Sequence, residues 1–404
     1  MNTEQKSARP GPLTGVRVID FSIMIAGPYC TRFLADMGAE VIKIEAPEGD
    51  YIRTREPLRN GSSAYFGHIN CGKRSVALDL KNPDAIETAK DLVRKADIVV
   101  ENFRPGVMKR LGLDYTTLTT VNPKLIYCSI SGFGQTGPSA EHPAYAQIVQ
   151  ASSGYDMALM KYQDAQERPP NSNIFLADVL ASAFAMSAIL AALHQRNHTG
   201  NGQYIDVALM DGMMSIFPYE FQEAQFPAKE RRQVYQPIRA ADGFVIICPT
   251  TPKNFETLCD ATGHPEWKSD ERFASNAARV KHWPELMRLV EQWTGVRPAK
   301  ECEDTFMAAG IPAATYRTIQ EAMQDPQFLH RGSFAAVEDA GGQFLVPNLP
   351  FQMSNARVQA QPFVPEKGED TASVLRELLG MNAEQAKLLS ASKPEKKESK
   401  TRRA

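Results

Sequence analysis

Between residues 16 and 131 the apolar positions fall into short continuous runs, separated by stretches with helical spacing. "VRVIDF" (16–21), "EVIKIE" (40–45), "ADIVVENF" (96–103) and "LIYCSIS" (125–131) are rich in β-branched residues and apolar on both faces. Such runs predict strands covered on both sides. The intervening "PYCTRFLADMG" (28–38) and "DAIETAKDLVRKA" (84–96) carry apolar residues on one helical face. Strand–helix–strand alternation of this kind predicts an α/β fold with a mostly parallel sheet.

The strongest helical signal is "IFLADVLASAFAMSAILAALHQRN" (174–197), apolar all round, which predicts a buried helix whose alanines permit close packing. "TGNGQ" (199–203) ends it, and "YIDVALMDGMMSIF" (204–217) continues as a strand running into another helix. The chain turns polar near 220, and "DGFVIICPT" (242–250) opens a region of shorter elements that reads as a smaller α+β domain. Strands and turns are expected over 333–354 and a helix near 370–380. The expected division is a large α/β domain over 1–220, a linker and small domain over 221–325, a return to the large domain over 326–388, and a disordered charged tail over 389–404.

Composition narrows the function. A net charge of −2 removes the basic field that nucleic-acid binding requires. No apolar run is expected to reach membrane-spanning length, and the start of the chain lacks an apolar signal core. Six scattered cysteines without a C-x-x-C pair read as reduced thiols, so a cytoplasmic location is expected. No metal-ligand spacing occurs among the seven histidines, and no metal is expected.

Three groups of residues carry candidate chemistry. Gly132-x-Gly134-x-x-Gly137 has the spacing of a dinucleotide fingerprint, but Pro143 interrupts any helix that would receive the pyrophosphate. NAD is therefore not expected, and the glycines read as a tight loop after a strand. Asp178 stands alone among apolar residues at the start of the long helix. It is either a first-turn acid favoured by the helix dipole or a carboxylate held ionised for nucleophilic attack on an acyl carbon. Finally, "ENFRPGVMKRLG" (101–112) brings Asn102, Arg104, Lys109 and Arg110 to a strand end. With "CGKRS" (71–75) and Lys81 these cations would suit a phosphate-bearing ligand.

Long stretches resemble one family. "LTGVRVIDFSIMIAGPYCTRFLADMGAEVIKIEAPEGD", "NCGKRSVALDL", "ADIVVENFRPGVMKRLGLDY", "NPKLIYCSISGFGQTGP" and "SAILAALHQRNHTGNGQYIDVALMD" follow, in order, the pattern of class III CoA-transferases. That is the superfamily of formyl-CoA transferase, carnitine CoA-transferase and L-carnitine dehydratase-like proteins. The resemblance implies a Rossmann-like large domain, a small domain, and two ring-shaped chains interlocked as a homodimer. It places Asp178 at the position of the family's catalytic aspartate, which forms a mixed anhydride and then an aspartyl-CoA thioester. Asn102, Phe103, Arg104, Arg110, Leu78 and Lys81 fall at positions lining the CoA site, and Tyr145 matches a tyrosine near the thioester. CoA and acyl-CoA are thus implied as substrates, with no permanently bound cofactor and no nucleic-acid or membrane partner.

Ala46 and Ala146 depart from the pattern, standing where some members carry an arginine and an acidic residue. The same fold hosts acyl-CoA racemases, which pair a histidine with the aspartate; here His142 lies two or three places early. A non-catalytic CoA-binding protein is the other alternative. The glycine run of formyl-CoA transferases has no counterpart in "RRQVYQPIRAADGF" (231–244), which weighs against oxalate and formate. Arg239, in that stretch, would suit the far carboxylate of a dicarboxylic acid, and succinyl-CoA is the favoured donor. Gly132 and Gly134 are read as part of a cover over the reactive acyl group.

Overall fold

The computed structural model describes residues 10–163, 167–170, 172–228 and 235–390. The chain divides into two units, one of residues 1–221 with 330–404, the other of residues 222–329.

The first unit is built on six parallel strands: β1 (Arg17–Asp20), β2 (Glu40–Glu45), β3 (Lys73–Ala77), β4 (Ile98–Glu101), β5 (Ile126–Ser131) and β6 (Gln203–Ala208). They lie in the order 3-2-1-4-5-6, every neighbouring pair parallel. Successive residues of a strand point to opposite faces, so one strand serves two cores. Val18, Val41, Val100 and Ile126 pack with α1 (Ala26–Asp36), α3 (Leu176–Thr199) and α4 (Leu209–Met214). Ile19, Ile42, Val99 and Tyr127 pack on the other face with α2 (Pro83–Arg94) and α8 (Thr371–Leu379). The expected parallel α/β sheet is present, with helices on both sides.

Strand β3 has no counterpart among the expected strands, because "KRSVA" opens with two cations that read as a surface loop. The long helix departs from its expected all-round burial. Ala177, Ala181, Ala185, Ile189 and Ala192 are buried, while Val179 and Phe184 are exposed. By length and composition α3 is able to cross a membrane, contrary to the expectation from the sequence, yet its alanine face packs against the sheet and α1.

In the second unit a three-stranded antiparallel sheet has β7 (Phe244–Ile247) at its centre, between Ile238–Arg239 and β8 (Ala313–Thr315). Helices α5 (Pro252–Thr262), α6 (Trp283–Thr294) and α7 (Ala299–Ala308) cover it through Phe255, Leu286 and Phe306. A hairpin of β9 (Phe334–Asp339) and β10 (Gly342–Pro347) belongs to the first unit. Residues 389 and 390, expected in the tail, end the helix Ala383–Ser390, and residues 391–404 lie outside the described residues.

Candidate active site

In an open parallel sheet ligands bind beyond the carboxyl ends of the strands, where the winding direction reverses. That point lies between β1 and β4. The loop leaving β1 is Phe21–Ile25, and the one leaving β4 starts at Asn102.

Asn102 ties the two loops together. Its Oδ1 accepts the Ile23 N–H at 2.8 Å and its Nδ2 donates to the Ile23 carbonyl at 2.8 Å. The next residue, Met24, has φ 63°, a left-handed conformation that a non-glycine side chain adopts only when its surroundings hold it. Gly27 completes the junction, since a Cβ there would lie 2.2 Å from Ser22 Cβ and 3.2 Å from Asn102 Cγ. The chain then enters α1 at Ala26.

A buried ionic network anchors this loop from below. Asp20 accepts from Lys73 Nζ at 3.0 Å and Thr31 Oγ1 at 2.7 Å, and also bonds the Ser22 hydroxyl. Lys43 donates to the Ser22 carbonyl at 2.7 Å and pairs with Asp50 at 3.0 Å. Lys73 also reaches Asn70 Oδ1 at 2.7 Å and the Pro28 carbonyl at 2.8 Å. All four ionised side chains are buried. Burial alone would raise the Asp20 pKa, but Lys73 and Lys43 outweigh it and hold the carboxyl below its ordinary value. For Lys73 burial wins, bringing the ammonium down to about 8 despite Asp20.

Asp178 sits in the first turn of α3, beside the start of α1. Ser182, one turn on, donates from Oγ to the Ala26 carbonyl at 2.7 Å and to the Asp178 carbonyl at 2.7 Å, fastening the two helices. Ala177 and Ala181 permit that approach. Burial raises the Asp178 carboxyl from 3.8 to about 6, while the Ala26 N–H and its own N–H, both donating to it, oppose the rise. The group is therefore largely ionised at pH 7 but poorly hydrated, as a carboxylate nucleophile should be.

The other expected site residues scatter in their roles. Asn102 meets the loop with its entire side-chain amide, so it positions the site. Phe103 is half-buried against the α2-side core, its N–H donating to Glu101 at 2.8 Å, and burial pushes the Glu101 carboxyl up to about 7. Arg104, Lys109 and Arg110 are exposed around Gly106, whose φ of 85° starts a short helical turn. Lys81 is exposed, with its N–H donating to Asp79.

Two expectations are corrected. The Leu78 side chain is wholly buried in the α2-side core, so it cannot line a ligand site except through its backbone. The cations of "CGKRS" are not free for phosphate: Lys73 is in the buried network, and Arg74 pairs with Glu40 at 3.0 Å and Glu377 at 2.8 Å.

Beyond β5, Gly132 faces Ala144, whose Cβ a Cβ at Gly132 would meet at 2.3 Å, and Gly134 and Gly137 have φ of 87° and 101°. No helix follows Pro138; the next is Ala146–Ser152. Asp206 Oδ2 on β6 accepts the Gln135 N–H at 3.0 Å and holds the loop. Between this loop and Pro105–Gly106 lies an open cleft of about 490 Å³. Tyr145 is exposed at 64%, and His142 is exposed with its ring edge against Phe133. Arg239 belongs to the second unit, exposed and with its guanidinium 5.1 Å from the Phe244 ring centre. Residues 229–234 of the neighbouring stretch lie outside the described residues.

Sequence reasoning missed Ser182, the Asp20–Lys43–Lys73–Asp50 network and Tyr65. Ser182 has a legible signal, a serine one turn after the lone acid of an apolar helix. The network has none, because its members lie on three different strands and a loop.

Residues 13–371 match the family described as CoA-transferase family III. The chain is 36% identical over 395 residues to the succinate–glutarate CoA-transferase of Agrobacterium fabrum, covering 93% of this chain and 98% of that protein. It is also 36% identical over 395 residues to the acetyl-CoA:oxalate CoA-transferase of Acetobacter aceti, covering 94% and 100%. Among solved structures, a CAIB/BAIF family protein from Brucella suis superposes with a TM-score of 0.82 at 34% identity, covering 92% of this chain and all of that one.

Proposed function

The chain belongs to CoA-transferase family III and is a CoA-transferase; on that premise we propose that it transfers CoA from a dicarboxylic acyl-CoA such as succinyl-CoA to a second carboxylic acid, with Asp178 as the covalent nucleophile. The observation that carries this reading is the half-buried carboxyl of Asp178, raised to about 6, at the junction of two helix starts.

Asp178 attacks the thioester carbonyl, the C–S bond breaks, and CoA leaves as the thiolate, giving a mixed anhydride. The thiolate then attacks the aspartyl carbonyl, releasing the donor acid and forming an aspartyl-CoA thioester. The acceptor carboxylate attacks that thioester, expelling the thiolate and forming a second anhydride. Attack of the thiolate on the acceptor acyl carbon yields the new acyl-CoA and returns the Asp178 carboxylate. The Ala26 N–H, at the positive end of α1, offers hydrogen bonding to developing oxygen charge without reorganising. Asn102 keeps the Ile23–Ile25 approach to that amide fixed.

CoA lies along the carboxyl edge of the sheet, where Arg104, Lys109 and Arg110 present cations to its phosphates. Phe103 and Tyr145 stand at the same edge, and the Gly132–Gly137 loop covers the acyl group. A homodimer is supported by exposed apolar side chains of the first unit, including Ile148 at 50% and Met157 at 59%. The succinyl preference draws on the names of relatives, one of them a succinate–glutarate CoA-transferase.

The test is mass spectrometry after incubation with acyl-CoAs and trapping by hydroxylamine or borohydride. A label confined to the Asp178 peptide, absent in Asp178→Asn, is the expected result. Exchange of the α-proton with solvent and no label would replace this reading with a racemase.

A further inference from the structure

Arg55 and Arg53 stand two residues apart but do different work. Arg53 is built into the fold: it pairs with Glu45 at 2.6 Å, donates to the Pro365 carbonyl at 3.1 Å and lies 3.8 Å from the Phe66 ring centre. Arg55 is exposed, its guanidinium lies 4.0 Å from the Tyr51 ring centre, and among the described residues it has no carboxylate partner.

Its backbone, by contrast, is fixed. Arg55 ends the turn Tyr51–Thr54, its N–H donating to the Ile52 carbonyl at 3.0 Å. Its carbonyl accepts the Ser63 hydroxyl at 2.6 Å, and the same Ser63 oxygen accepts the Phe66 N–H at 3.1 Å, capping the helix Ala64–Asn70. Tyr65 lies in the first turn of that helix. Its ring is near-parallel to that of Phe175, with centres 6.3 Å apart and planes 11° apart, and Phe175 is the residue from which α3 starts, three before Asp178. Arg55 is thus tied through its carbonyl to the cap of the helix that carries Tyr65, and the Tyr65 ring reaches Phe175 at the start of α3.

The Tyr65 hydroxyl is buried and has no hydrogen-bond partner. A buried hydroxyl without a partner is costly and points to a polar group that arrives with a ligand. The phenol also reports the charges around it. Burial, then the Asp178 carboxylate, push it up to about 12, and the Arg55 guanidinium opposes them. The nucleophile and the unpaired cation therefore both act on the same hydroxyl.

We propose that Arg55 selects the substrate by pairing with the distal carboxylate of a dicarboxylic acyl group, while the near carbonyl is joined to Asp178. The assignment deepens the transferase reading and rests on Asp178 carrying the acyl group. A planar guanidinium suits a carboxylate through two parallel hydrogen bonds. A monocarboxylic acyl group would leave that guanidinium in water and lose nothing by its removal.

Donor kinetics with succinyl-CoA and butyryl-CoA, whose acyl chains are of equal length, provide the test. In Arg55→Leu the kcat/KM for succinyl-CoA is expected to fall by about 10- to 100-fold, the range for a hydrogen bond to a charged group, mainly through KM. The value for butyryl-CoA stays the same or rises, and Arg55→Lys recovers part of the succinyl preference. An equal fall with both donors, no fall with either, or a wild-type enzyme that prefers butyryl-CoA would overturn the proposal. A thermal melt matching wild type keeps a folding defect from mimicking the first of these. Covalent labelling separates this proposal from the one it rests on. Failure of the Asp178 reading appears as no aspartyl label in the wild type with either donor. Failure of the Arg55 proposal appears as normal labelling with unchanged selectivity in Arg55→Leu.

Discussion

Replacing Asp178 by asparagine should make the protein more stable while abolishing transfer. Burial raises the carboxyl from 3.8 to about 6. A folded-state pKa above the unfolded value means that folding is opposed at any pH where the unfolded chain is ionised. The gap between 3.8 and about 6 corresponds to about 3 kcal/mol at pH 8. Asp178 is only half-buried, so solvent screening reduces the expected gain to roughly 1–2 kcal/mol. Asparagine keeps the shape and an oxygen to accept the Ala26 N–H, but carries no charge to desolvate. Thermal melts of wild type and Asp178→Asn should differ by roughly 1–3 °C at pH 8, the variant being higher. The difference should shrink as pH falls through 6 and vanish below about pH 3, where the aspartic acid is neutral in both states. A variant that melts at or below the wild type at pH 8 would refute the reasoning. So would a difference that stays constant with pH.

Other consequences follow from the same geometry. The rate of the first half-reaction should fall about tenfold per pH unit below about 6, as the Asp178 carboxylate is protonated; a pre-steady-state pH profile of CoA release measures it. Asn102→Ala removes both hydrogen bonds to Ile23 and frees Met24 from its left-handed conformation. It should lower kcat/KM by about 10- to 100-fold with a melting temperature close to wild type, read by steady-state kinetics and melts in parallel. Lys73→Met leaves Asp20 short of its nearest cation inside the protein. Urea titration should show a loss of about 3–5 kcal/mol, the range for one missing partner of a buried pair.

How much of this was legible in the sequence depends on where each signal resides. Strands β1, β2, β4 and β5 announce themselves because both faces are covered, so their apolar runs are continuous. Strand β3 did not, since Lys73 is buried by pairing with Asp20, and one-dimensional hydropathy reads a buried lysine as exposed. The family resemblance places Leu78 at a ligand site, yet a residue beside a binding loop can point its side chain into the core, as this one does. Asp178 was visible as an acid out of place in an apolar helix. The partners that shape it, Ala26 and Ser182, are set by the crossing of α1 and α3, which no local pattern encodes. Arg55 lies in a stretch of turns, and Tyr65 at the start of the short helix after it, where the charge pattern says nothing about which cation is free.

The buried network beneath the β1 loop divides the site into parts that can evolve at different speeds. Asp20, Lys43, Lys73 and Asp50 fasten the turn after β1, the loop after β2 and the helix before β3 to one another. A change at any of the four disturbs several loops together, so selection on the chemistry resists it. Arg55 lies outside this network, its backbone held by Ile52 and Ser63. Its side chain can be exchanged without disturbing the floor on which Ala26 and Asp178 meet. A lineage built this way can try new acids one rim residue at a time while its acyl-transfer machinery stays intact.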